Sequence, residues 1–273
     1  MSQRKIGIVV NNQNPTAKIG IVVNNQNPTA KTYTDCVTDW LVEQRYLPVF
    51  EEEEVYKCPL IIVLGGDGTV LKVAHKAALF AIPMLGINLG HLGYLTDVDK
   101  TDGLKAIEKV LSGNFREEQR MMLEARGHLA LNEIFISRGG QFKIMEFSVM
   151  ADGYYMDTLR ADGIIVSTPT GSTAYNLSAG GPILRPDAEM IVVNTVCPHA
   201  LHTRPWVLSG NDKIQLTLTD SRGGEALVSI DGEIKFKLNT GESVYISRSK
   251  YYATVIKTAE TSFFEVLRDK MRK

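Results

Sequence analysis

Between residues 19 and 111 the chain alternates short apolar runs with segments of helical periodicity, and this alternation restricts the possible folds more than any other feature. Residues 19–23 are apolar and largely β-branched, and they end in an Asn-rich turn containing Pro28; residues 34–44 then space Val37, Trp40 and Leu41 along one helical face. Residues 59–64 are apolar, as in a strand covered on both sides, and 69–79 follow with Val70, Leu71, Ala74 and Ala78 on an inner face. A further strand at 83–87 and a helix at 101–111 continue the pattern. Strands alternating with helices predict an α/β, Rossmann-like N-terminal domain with a mostly parallel sheet, whose ligands sit beyond the carboxyl ends of the strands.

From Glu118 the texture changes. Short β-patterned runs at 129–137, 142–150, 163–167, 213–219, 226–230, 233–238 and 243–248, separated by turn signals, predict an all-β, antiparallel, sandwich-like C-terminal domain. An amphipathic segment at 262–271 reads as a closing helix. The expected division is 1–117, with 251–273 packing back on it, and 118–250. One anomaly precedes all of this: KIGIVVNNQNPTA at 5–17 recurs letter for letter at 18–30. Repeat folds stack about three or more diverged units, so an identical pair of strand-plus-turn segments is read as an artefact of cloning or numbering, or as an extension outside the fold. The second copy runs straight into the next helix and is the better candidate for the folded strand.

Composition permits an enzyme and removes some alternatives. At 273 residues, 44% hydrophobic and 22% charged, the chain can bury substantial cores, and a net charge of -1 gives no reason to expect nucleic-acid or membrane-surface binding. No apolar run approaches the roughly 18 residues of a membrane span, and the first residues lack a signal peptide's apolar core, so a cytoplasmic location is expected. Cys36, Cys58 and Cys197 are too few and too scattered for a disulfide framework or a zinc site, and are expected to be buried thiols; no metal-ligating residue is assigned.

Three segments carry chemistry. Leu64 leads into GGDGT at 65–69, where the glycines Gly65, Gly66 and Gly68 allow positive φ and close approach of backbone N–H groups to an anion, and Thr69 is placed to cap a following helix. Asp67 is the odd member, a carboxylate where phosphate is expected. The segment at 161–183, ADGIIVSTPTGSTAYNLSAGGPI, ends a strand in Thr168, Thr170, Ser172 and Thr173 around a flexible glycine, Gly171, and leads into a helix near Tyr175. Hydroxyls, a helix start and an aromatic face together suit a ribose, a phosphate and a base. Asn132–Glu133 carries little signal by itself, since an exposed polar pair at a hairpin edge would look the same.

Together these segments resemble the NAD kinase family, ATP-dependent enzymes that phosphorylate NAD to NADP. GGDGT at 65–69, NLGHLGYL at 88–95, LNE at 131–133, DGIIVSTPTGSTAYNLSAGGPI at 162–183, CPH at 197–199 and DGE at 231–233 occur in the family's order. GGDGT is shared with lipid and phosphofructokinases, whereas the TPTGSTAY segment is specific. The resemblance implies that Asp67 contacts the adenosine ribose 2′-hydroxyl that accepts the phosphoryl group, while the backbone of Gly65, Gly66, Gly68 and Thr69 faces the ATP phosphates. It further implies that Asn132 and Glu133 hold the adenosine portion of NAD, with Tyr94 and Leu95 flanking that pocket. Asp162 would bind the nicotinamide carboxamide, and Thr170, Thr173, Ala174, Tyr175 and Ser178 would line the dinucleotide subsites. Substrates would be NAD and ATP, with Mg²⁺ or another divalent cation on ATP, and the assembly a homotetramer. Two features depart from the pattern: the stretch before Asn132 is short for the family, and Glu233 stands where Gln is frequent.

A carboxylate is a weak base toward a ribose hydroxyl, so Asp67 is expected to orient that hydroxyl and accept its proton late in a loose transition state. A lipid kinase would use GGDGT but leave 168–178 without a role. A non-catalytic dinucleotide sensor would have no need of Asp67. His91, His199 and His202 are within reach of the site by sequence position and are expected to be structural.

Overall fold

The computed structural model describes residues 17–24, 26, 28–90, 93–96, 98–139, 144–200, 202–221, 224–258 and 261–272. The chain forms two compact units, Met1–Gln119 with Ala253–Lys273, and Arg120–Tyr252. Of the repeated segment, the second copy supplies β1 (Lys18–Val23) and the entry to α1 (Ala30–Glu43), whereas residues 5–16 of the first copy lie outside the described residues.

In the first unit, β2 (Leu47–Val49) and α2 (Glu52–Val55) follow α1, and then come β3 (Ile61–Leu64), α3 (Asp67–Leu79), β4 (Met84–Asn88), the short β5 (Val98–Asp99) and α4 (Gly103–Leu111). The strands pair in parallel in the order β2-β1-β3-β4, with Ile21 opposite Ile62 and Ile61 opposite Met84. Every residue of β3 and β4 is buried, which is why β3, and β4 up to its terminal Asn88, read without polar alternation. Ile62, Leu64, Leu85 and Ile87 share a core with Val37 and Leu41 of α1 and Ile107 and Val110 of α4. Both chemically marked segments of this unit, the residues after β3 and those after β4, therefore leave the sheet at its carboxyl end.

The second unit contains β6 (Arg116–Ala125, which begins before its boundary), β7 (His128–Ala130), β8 (Glu133–Arg138), β9 (Met145–Ala151), β10 (Tyr154–Ala161), β11 (Gly163–Ser167), α5 (Tyr175–Ser178), β12 (Met190–Val196), β13 (Trp206–Ser209), β14 (Ile214–Asp220), β15 (Ala226–Ile230) and β16 (Glu233–Leu238). The last strand, β17 (Ser243–Lys257), runs out of this unit into the first, where α6 (Phe263–Met271) closes the chain. One antiparallel sheet has the order β13-β12-β11-β8-β15-β16, and β10-β9-β14-β17 pair antiparallel in a second. Alternate residues of both, such as Ile134, Ile136, Val166 and Val228 from one and Phe147, Leu216, Leu218 and Val244 from the other, fill a single core. That is the arrangement of a β-sandwich.

Several expectations are corrected. The run at 129–137 is two strands, interrupted at Leu131–Asn132. The run begun at 142 starts at Met145 among the described residues, since 142–143 lie outside them. The stretch before Asn132 is short because β6 and β7 join through a two-residue turn, Arg126–Gly127, with both φ positive (48 and 78), the conformation that matches strand twist. Cys36 and Cys197 are exposed, and only Cys58 is a buried thiol. No described helix is long and apolar enough to cross a membrane. Replacement of the fully buried Phe147 by Ala is expected to cost about 3–5 kcal/mol, read as a lowered midpoint in chemical denaturation of the second unit.

Candidate active site

The first functional cluster is built around the end of β3. The chain turns at Gly65, whose N–H donates to the Ile87 carbonyl at 2.9 Å, and enters α3 with Gly66 as the N-terminal flanking residue at φ -94. None of Gly65, Gly66 or Gly68 takes a positive φ, contrary to the expectation for this loop. Only Gly65 is required sterically, since a Cβ there would overlap the Thr69 side chain, while Gly66 and Gly68 face open space. Thr69 does not cap the helix from outside, because α3 already begins at Asp67 and Thr69 is the first residue to donate back, to the Gly66 carbonyl at 2.9 Å. The amides of Gly66, Asp67 and Gly68 therefore have no carbonyl behind them within the helix, the condition that makes a helix start attractive to anions.

Asp67 itself is half-buried and points away from this helix start, toward the loop after β4. Its Oδ1 accepts from the N–H of Leu95 (3.0 Å), the N–H of Thr96 (3.1 Å) and the Thr96 hydroxyl (3.1 Å), and Oδ2 accepts from the N–H of Tyr94 at 2.7 Å. An ionised carboxylate has about two lone-pair sites per oxygen; three donors crowd Oδ1 and one meets Oδ2, so among the described residues Oδ2 keeps one site open. The Thr96 hydroxyl is fixed in turn by Asn88 Nδ2 at 3.0 Å, and Asn88 Oδ1 accepts from Gly90 N–H at 2.7 Å. Gly93 is obligatory here, because a Cβ would overlap Asp67 Oδ1 and Thr96 Oγ1. Burial, and then the nearby Asp67 carboxylate, push the Tyr94 phenol above its ordinary range.

The second cluster, in the other unit, repeats the device. Asp231 sits at φ 48 in the Asp231–Gly232 turn between β15 and β16, and its carboxylate accepts from the N–H groups of Leu131 (2.7 Å), Asn132 (2.8 Å) and Glu133 (3.0 Å). These bonds break the strand run at 131–132 and turn the peptide groups of that stretch. The Thr168 hydroxyl donates to the Leu131 carbonyl at 2.5 Å and accepts from Gly171 N–H at 3.0 Å; Thr168 N–H reaches the Asn132 carbonyl at 2.9 Å. Gly171, expected to be flexible, is instead pressed on the Asn132 backbone so closely that a Cβ would overlap it.

Around this frame the remaining expected residues gather. Glu133 is 8% exposed, its Oε2 has no hydrogen-bond partner, and burial, followed by the Asp231 charge, pushes its carboxyl up to about 7. The Thr170 hydroxyl is likewise buried without a partner, while Thr173 donates to the Thr170 carbonyl at 3.2 Å. Tyr175, 39% exposed, meets Phe135 edge-on at 5.0 Å, and its phenol is raised by burial and then by Cys197, Asp162 and Glu133. Asp162 is held by Arg138 Nη1 at 3.0 Å. Ala174 is partly buried and Ser178 exposed on α5, a single turn too short to act as a helix N-terminus for phosphate. His199 and His202 line a separate cleft with Asp157 and Arg160, and His91 lies outside the described residues.

Family models described as the ATP-NAD kinase N-terminal and C-terminal domains match residues 47–115 and 131–258. A protein named NAD kinase from Caldanaerobacter subterraneus subsp. tengcongensis is 38% identical, over 87% of this chain and 93% of its own. The chain belongs to the NAD kinase family. An NAD kinase from Heliobacterium modesticaldum is 36% identical over 98% of both chains. Among solved structures, an NAD kinase from Archaeoglobus fulgidus in complex with ATP superposes with a TM-score of 0.77 at 26% identity, covering 93% of this chain and 98% of its own. Yeast NADH kinase complexed with NADH shares the fold, with a TM-score of 0.85 at 22% identity over 95% and 88% of the two chains.

Asn88, Gly93 and Asp231 stood in motifs quoted from the sequence, NLGHLGYL and DGE, but without a role, and Thr96 and Arg138 were not singled out. For Asp231 a further signal was the Asp-Gly turn between two β-patterned runs. Two outcomes follow. Gly93→Ala, which must part the loop from Asp67, is expected to lower NADP formation by about a hundredfold or more in a protein that still unfolds cooperatively. Glu133 keeps its proton when folded up to about pH 7 but loses it near 4.5 when unfolded, so its contribution to stability is fully present below 4.5 and is lost as pH rises toward 7. The melting temperature of Glu133→Gln relative to the parent is therefore expected to climb over that window and level off above it.

Proposed function

We propose that this NAD kinase family member transfers the γ-phosphoryl group of ATP to the adenosine ribose 2′-hydroxyl of NAD with Asp67 as its catalytic residue. The observation that carries the role of Asp67 is the single open place on Oδ2, on a carboxylate whose other positions are all taken by the loop at 94–96. A hydroxyl that donates there is aimed by a group that cannot rotate away. The oxygen attacks phosphorus as the bond to ADP breaks, and the proton passes to Oδ2 late, as suits a loose transition state and a weakly basic carboxylate.

The amides at the start of α3, with Gly66 and Gly68 opening the approach, face the ATP phosphates. ATP enters with Mg²⁺ or another divalent cation, which neutralises phosphate charge as part of the substrate. Asn132 and Glu133 hold the adenosine portion of NAD: the unpartnered Glu133 Oε2 and Thr170 hydroxyl are buried polar atoms that a ribose or base can satisfy. Tyr94 and Leu95 flank that portion. Asp162, steadied by Arg138, addresses the nicotinamide carboxamide, and Thr173, Ala174, Tyr175 and Ser178 line the dinucleotide. A cytoplasmic homotetramer, built from the α/β domain at 1–117 with 251–273 and the β domain at 118–250, completes the reading. Asp67→Asn is expected to bind NAD with unchanged affinity and to lose turnover by a factor of about a thousand in a coupled NADP assay; near-normal turnover would overturn the assignment.

A further inference from the structure

The closing helix α6 touches the loop that grips Asp67. Its start is fixed by reciprocal bonds: Ser262 N–H donates to Glu265 Oε2 at 2.7 Å and Glu265 N–H donates to Ser262 Oγ at 3.3 Å. Phe263, the first helical residue, and Lys270, seven positions on, lie two turns apart on one face. Both meet Tyr94. The Phe263 ring lies 6.3 Å from the Tyr94 ring at 42°, and Lys270 Nζ stands 4.7 Å from its centroid. Phe263 and Lys270 are half-buried, whereas the neighbouring Phe264, which packs on Phe263 at 5.5 Å, is 59% exposed. The N–H of the gripped residue, Tyr94, is the donor at 2.7 Å to Asp67 Oδ2, the oxygen with the open place.

We propose that α6 is a clamp on the acceptor site, with Phe263 and Lys270 as positioning residues that hold Tyr94 so that Asp67 presents Oδ2 in one orientation. The inference rests on the reading of Asp67 as the group that addresses the acceptor hydroxyl. Neither residue touches the reacting atoms; each acts through the Tyr94 ring and peptide. A ring-to-ring contact and a cation over an aromatic face are individually modest, and losing both is expected to change catalysis by about tenfold.

The test combines turnover with amide hydrogen exchange on the full chain. Phe263→Leu with Lys270→Met is expected to lower kcat for NADP formation about tenfold while leaving the KM for ATP within about twofold, and to speed exchange of the Tyr94, Leu95 and Thr96 amides about tenfold without affecting those of α1. Phe263→Tyr and Lys270→Arg, which keep the ring and the charge, are expected to retain kcat. In an Asp67→Asn background the same pair should cause little further loss. Unchanged kcat and unchanged exchange in the folded double variant would overturn the clamp, as would a tenfold loss that persists fully without Asp67. A parent chain that makes no NADP would instead overturn the proposed function, and the exchange data would still judge the clamp.

Discussion

A carboxylate that accepts hydrogen bonds from consecutive backbone amides is the interaction on which both clusters depend. The loop after β4 has no ladder to join, so its N–H groups at 94–96 would be left unpaired without Asp67, and buried amides without partners are costly. Asp231 does the same for the amides at 131–133. Charge-assisted bonds of this kind are stronger than neutral ones and come as a set, so each aspartate locks a loop and is itself locked. The glycines then fall into place as consequences: Gly93 and Gly171 lack side chains because another group occupies that space.

On the proposed reading, a single residue combines two tasks. Asp67 spends most of its accepting capacity on the loop at 94–96, which fixes the direction of the remaining site on Oδ2, the one proposed to address the acceptor hydroxyl. Preorganisation of this kind lowers the reorganisation needed in the transition state. Glu133 shows the opposite balance. Its carboxyl is buried against Asp231 with one oxygen unpartnered, an arrangement that costs stability once the group ionises and that a ligand donor would relieve. Polar groups left incomplete in an otherwise well-paired interior are where a binding protein departs from the rules of folding.

Most of the architecture was legible because the first unit obeys simple periodicities. β3 is apolar at every position and β4 up to its terminal Asn88 has no polar side chain, because both faces are covered, and α3 was found from its inner face, though its start lay two residues earlier than the first helical-looking position. β10 was missed because a bulge between Tyr155 and Asp157 breaks its alternation and leaves Tyr154 and Tyr155 exposed. β6 was missed altogether, its first half because REEQ looks like a solvated charged stretch. The candidate site could be proposed from sequence where its residues fall in local motifs, as in GGDGT and TPTGSTAY. It was not legible where it depends on contacts 27 to 29 residues apart, as between Asp67 and 94–96, or about 100 apart, as between Asp231 and Leu131. No local pattern marks Thr96 or Arg138, whose roles exist only once the chain has folded.

The most direct measurement is a crystal structure of the protein with NAD bound. The adenosine ribose 2′-hydroxyl oxygen is expected within about 2.6–3.2 Å of Asp67 Oδ2, with the Tyr94, Leu95 and Thr96 amides still on the carboxylate. A bound NAD whose 2′-hydroxyl lies beyond hydrogen-bond reach of both Asp67 oxygens, or an Asp67 released from those amides, would contradict the role proposed for Asp67.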